Sequence, residues 1–182
     1  YIYNANTSLA LAISLVSNGE FNQIELAIVN LVGTVLVKES YIQPLNQLSF
    51  EFLDSIIAKQ FEDMSQIKVI GIGIPGMVVH GEVLYCDIEE LEHLKLRDML
   101  QDKYHVKVFI DNEMHFKTFG YYQAHSNMNL KNCALLNVPE THTYGAGFMV
   151  DGQLIRGNSN FSGEINYLPY VSSRQELIAQ CR

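Results

Sequence analysis

The chain has 182 residues, 48% of them hydrophobic, enough to bury a real core in one large domain or two small lobes. Its net charge of −8, with no run among its 12 basic residues, excludes this segment from lying on nucleic acid itself, so any DNA contact is expected from a part absent here. Apolar runs such as Leu9 to Val16 are too short and too broken by Ser to span a bilayer, and no secretory pattern opens the chain, so a soluble cytoplasmic protein is expected. Cys86, Cys133 and Cys181 are far apart, which speaks against a disulfide framework and against a Cys-x-x-Cys zinc site. A first residue of Tyr rather than Met leads us to expect a fragment or a processed product.

In chain order, Leu9 to Val16, Gln23 to Leu31 and Thr34 to Glu39 read as three strands of an antiparallel meander, with Asn18-Gly19 and Val32-Gly33 as turns. From Asn46 to Met64, Phe50, Leu53, Ile57, Phe61 and Met64 recur at spacings of three and four and predict a helix. "IKVIGIGIPG", Ile67 to Gly76, is a nearly continuous apolar strand of the kind buried in a parallel sheet, stopped by Pro75-Gly76. The acidic run "DIEELE", Asp87 to Glu92, reads as a solvated loop or helix start. "LKLRDMLQDKY" predicts a helix, "VKVFI" a strand, and Asn112 to His125 another helix. The order βββαβαβα belongs to an α/β unit with a mixed sheet and flanking helices. After the polar stretch "HSNMNLKN", "CALLNV" is a strand and "GAGFMVDGQLIRG" a hairpin around Asp151-Gly152. This reads as the start of a second lobe with one further helix, Ser173 to Gln180, and the lobe is expected to be incomplete in this chain. The expected division is 1–128 and 129–182. The meander near residue 24 and the hairpin near residue 145 are candidates for one unit used twice.

Three blocks, "GIGIPGMVVHGEVLY", "VFIDNEMHFKTFG" and "GAGFMVDGQLIRGNSNFSGEINY", resemble the ROK family (repressors, open reading frames, kinases) in order and spacing. The resemblance implies the actin-like, ribonuclease-H-like fold, and either a sugar kinase or a transcriptional repressor whose winged helix-turn-helix precedes the sugar-binding lobes. In the family's kinases a D-x-G-G-T turn receives the nucleotide phosphates and an Asp there helps place the metal. Over that turn lies "NGEFNQIELAIVNLVG", where Asn18 replaces the Asp, Glu20 and Phe21 follow, and Asn22 replaces the Thr. A carboxylate and a phenyl ring there would repel and exclude an anion, although Asn18-Gly19 also reads simply as a hairpin turn. The glycine loop resembling G-T-G-x-G-x-G appears as "THTYGAG": Gly145 and Gly147 are kept, while Thr141 and Thr143 replace the earlier glycines. Close packing would explain this Gly-x-Gly equally well.

The family's Asn-Asp pair reads sugar hydroxyls and takes the proton from the hydroxyl to be phosphorylated. Asn112 matches and Glu113 replaces the catalytic base; its extra methylene displaces the carboxylate by more than the roughly 0.5 Å an organised site tolerates. Within "FSGEINY", which resembles G-E-x-G-H, Gly163 and Glu164 match, and Tyr167 stands where the family's His binds sugar and a structural zinc. A phenol is a poor zinc ligand and no Cys-x-Cys-x-x-x-x-Cys follows, so no metal is expected. Gly76 and Asp87 fall where family members line the sugar cleft, with strand stop and solvated carboxylate as the plainer readings. The six His residues show no ligand spacing.

These readings lead to an expectation: a non-catalytic, cofactor-free sugar-sensing domain of a ROK-type regulator, with no membrane partner, acting as a homodimer and binding its effector through Asn112, Glu113, Glu164, Tyr167, Gly76 and Asp87. The rivals are a ROK sugar kinase with Glu113 as base and a degenerate dimerisation module.

Overall fold

Leu9, Leu11, Ile13 and Leu15 alternate with Ala10, Ala12 and Ser14, and a strand turns such alternate residues to one face. In the computed structural model, which describes residues 4–138 and 144–165, they form β1 (Leu9–Ser17), with all four large side chains buried. β2 (Phe21–Asn30) answers with buried Ile24, Leu26 and Ile28, and β3 (Val35–Pro44) completes the meander. The sequence reading stops this last strand at Glu39. Its continuation to Pro44 is tolerated because an edge strand can spare a donor.

The helix expected from Asn46 begins later, as α1 (Phe50–Asp63). Asn46 sits at φ 64°, a left-handed conformation that cannot continue a helix, and Ser49 caps the first turn by accepting the Phe52 N–H. Its buried face, Leu53, Ile56 and Ile57, lies in the same core as β1, β2 and β4 (Ile67–Ile74). Each such side chain is worth about 1.5–3 kcal/mol of burial.

Between β4 and the next helix the structure adds a hairpin that the sequence reading lacked: β5 (Gly76–Val79) and β6 (Glu82–Cys86). His80 and Gly81 join them at φ 53° and 84°, the paired positive angles of a tight hairpin turn. Then come α2 (Leu96–Tyr104), β7 (Lys107–Asn112) and α3 (Glu113–Ala124). The five-stranded sheet runs β3-β2-β1-β4-β7, with β1, β4 and β7 parallel and β2 and β3 antiparallel to their neighbours.

β8 (Cys133–Asn137), β9 (Gly145–Val150) and β10 (Gln153–Leu154) form a second antiparallel sheet in the order β10-β9-β8, the connectivity of the first meander repeated. α3 packs on β4 and β7 of the first sheet and on β8 and β9 of the second. No helix among the described residues is long and apolar enough to cross a membrane. The expected helix Ser173 to Gln180 lies outside the described residues.

Candidate functional site

Parallel pairing sets Ile74 opposite Asn112 and Gly73 opposite Asp111, so β4 and β7 end side by side. In open α/β sheets this edge is where ligands bind. Asn112 is the N-cap of α3: its Oδ1 accepts the Met114 N–H (2.8 Å), and its Nδ2 donates to the Gly76 carbonyl (2.8 Å). The same Nδ2 lies 3.4 Å from Glu164 Oε1. Both ends of this buried carboxamide are thereby oriented, and three sequence-selected residues, Gly76, Asn112 and Glu164, are joined through one side chain. Gly76 admits no larger residue, because a Cβ there would lie 2.1 Å from the Tyr85 carbonyl oxygen across the hairpin.

Asp87 follows β6 and gives its N–H to the Pro75 carbonyl (3.0 Å). Loss of solvation, then the charge of Glu113, raises the pKa of its carboxyl, and solvent at its exposed face screens the effect. Glu164 is half-buried, and its pKa too is raised, first by desolvation and then by the charge of Asp87. Glu113 opens α3 and pairs with Lys117 one turn on. It also lines a cavity of about 500 Å³ over the small residues Ala12, Ser14, Gly71 and Gly73. Tyr167 lies outside the described residues.

Sequence reasoning missed Asp111, His115 and Arg156. Asp111 is buried; its Oδ1 accepts the Asn112 N–H and faces His115 Nδ1, both at 2.8 Å, while its Oδ2 accepts Arg156 Nε (3.0 Å) and Nη2 (2.8 Å). Burial alone would raise this carboxyl's pKa, but the bonds from His115 and Arg156 outweigh it and the net shift is downward. An ionised carboxylate can only accept, so His115 Nδ1 carries the proton. The signal available was Asp111 closing an apolar strand; nothing near Arg156 pointed back to it.

At the turn after β1, Asn18 Oδ1 accepts the N–H groups of both Glu20 (3.0 Å) and Phe21 (2.9 Å). Gly147 on β9 has a packing reason: a Cβ there would sit 2.0 Å from Thr118 Oγ1 of α3. Thr141 and Thr143 lie outside the described residues.

A mixed sheet of this order with flanking helices, followed by a repeated meander, is the actin-like, ribonuclease-H-like fold. The ROK family model matches residues 19–181, and the chain belongs to that family. It is 27% identical over 158 residues to a xylose repressor of Caldicellulosiruptor bescii, a match covering 79% of this chain and 38% of that protein. Among solved structures it resembles a ROK family transcriptional regulator homologous to the E. coli MLC protein, with TM-score 0.73, 21% identity, and 89% of this chain and 41% of that one covered. It also resembles a ROK glucokinase from Streptomyces griseus in complex with glucose and AMPPNP, with TM-score 0.72, 18% identity, and coverage of 90% and 51%. The chain thus spans well under half the length of the repressor it matches.

Proposed function

We propose that the chain is the effector-binding part of a ROK-type transcriptional regulator, non-catalytic, taking a neutral sugar in a cleft between lobes 1–128 and 129–182. The observation that carries this reading is the oriented Asn112 carboxamide with Glu164 at 3.4 Å. One group donates and the other accepts, the combination that vicinal hydroxyls need in a partly dry cleft. Asp87, Glu113, Gly76 and Tyr167 complete the proposed sugar set. The relatives named as xylose repressors make aldopentoses the first ligands to try. Lobe closure would be the signal. DNA contact would come through another part of the full-length protein, in a homodimer in the cytoplasm.

Two features support a regulator over a kinase. The amides of the turn that would cradle phosphate are already taken by Asn18, beside the carboxylate of Glu20. The Glu113 carboxylate, at the position of the family's base, is engaged by Lys117. No cofactor or metal has a part in the proposed role.

Calorimetry of the intact protein against a panel of monosaccharides, their phosphates and Mg-ATP tests the reading. Saturable binding of an unphosphorylated sugar, with none of Mg-ATP, is expected. Sugar-dependent turnover of ATP would establish the kinase instead, and a protein that binds no sugar would favour a dimerisation module.

A further inference from the structure

After β10 the chain runs outside any ladder toward the end of β7 and the β5–β6 hairpin, tied to β9 by single backbone bonds at Ile155 and Gly163 and to the other side by side chains. Arg156 puts two guanidinium nitrogens on Asp111 Oδ2, at 3.0 and 2.8 Å. Asn160 Nδ2 donates to the Val78 carbonyl on the β5–β6 hairpin (2.6 Å). Within the segment the Ser162 N–H closes on the Arg156 carbonyl (3.2 Å), and the Gly163 carbonyl accepts the Ala146 N–H of β9 (2.8 Å). Gly163 takes φ 95°, and a Cβ there would come within 1.8 Å of the Ala146 oxygen, so the segment meets β9 backbone to backbone. Glu164 is the next residue.

We propose that Arg156, acting through Asp111, and Asn160, acting through the Val78 carbonyl, are positioning residues that strap residues 156–164 against the end of β7 and the β5–β6 hairpin and so set Glu164 beside Asn112. The inference rests on the sugar-site reading above. Asp111 makes a rigid post, since its other oxygen is held by buried His115 and by the Asn112 N–H. A force on Asp111 is therefore felt one residue from the carboxamide that would read the sugar. The guanidinium fork fixes direction as well as distance, which a lysine ammonium cannot do. Asn160, at φ 55°, holds the far side of the same turn.

The test uses the full-length protein, with hydrogen exchange of residues 156–164 and calorimetric titration against xylose and the monosaccharide panel. Arg156→Met and Asn160→Ala should speed exchange of this segment while that of β1 and β4 is unchanged. Each should weaken sugar binding about tenfold, the scale of one hydrogen bond made less well at a displaced Glu164. Arg156→Lys should recover part of both effects. Faster exchange with wild-type affinity would reduce the strap to a purely structural element, and unchanged exchange would show that these contacts do not hold the segment; either overturns the proposal. If the wild type binds no sugar, the site reading fails first and the positioning role falls with it.

Discussion

Asn112 has two jobs that substitutions can separate. Asn112→Ala removes the α3 cap and leaves the buried Gly76 carbonyl without its donor, so a loss of about 1–3 kcal/mol is expected in denaturant unfolding. Asn112→Asp keeps an oxygen for the Met114 N–H but discards the donor and sets a second carboxylate against Glu164. It should unfold closer to wild type than the alanine variant while binding sugar no better. Equal stability of the two variants would mean that repulsion from Glu164 and the Gly76 carbonyl cancels the retained cap. That Gly76, Asn112 and Glu164 come together could be anticipated from the sequence, because a family motif carries each. Asp111 and Arg156 were not legible, because their bond joins a strand end to an irregular segment 45 residues further on and neither has a local pattern that announces a partner.

Elements were legible where one periodicity ran unopposed. β1 and β2 alternate cleanly, and α1 differs from expectation only where Asn46 turns left-handed and Ser49 supplies the cap. The β5–β6 hairpin was hidden because "GIGIPGMVV" stays apolar through Pro75, so one long strand with a stop read as well as two strands with a break. His80-Gly81 was the missed sign, a two-residue turn between short apolar runs. Gly147 shows the same ambiguity from the other side: its spacing suggested a phosphate loop, while its contacts are those of a strand pressed onto α3. Gly147→Ala would drive a methyl into Thr118 Oγ1 and to 2.8 Å from the Met114 carbonyl, prising β9 from α3. A cost of about 1–3 kcal/mol is expected, and Thr118→Ala in the same chain should restore part of it. Simple additivity of the two changes in thermal unfolding would place the strain elsewhere.

At the scale of the whole molecule, the carboxyls at the sheet edge pull stability in opposite directions with pH. Asp111 has its pKa lowered from 3.8, so the unfolded chain holds the extra proton. Its contribution is fully present above that value and is lost as pH falls through the lower, folded one. Glu164 has its pKa raised from 4.5, so the native state holds the extra proton; stability falls as pH rises from 4.5 through the folded value, and the deficit persists at neutrality. A fold selected for stability alone would not keep a half-buried carboxylate facing Asp87 and Glu113, whereas a hydroxyl-binding site gains from an acceptor left short of solvent. Glu164→Gln should therefore raise the unfolding midpoint at pH 7, flatten the decline above pH 4.5, and weaken sugar binding in the same protein. Asp111→Asn should do the reverse, destabilising the protein at neutral pH and flattening the loss below pH 3.8. Unfolding followed across pH 3 to 8 for the three proteins separates these effects. A Glu164→Gln variant that is less stable than wild type at pH 7 would mean that the carboxylate serves the fold, and would remove the stability argument for a ligand at this edge.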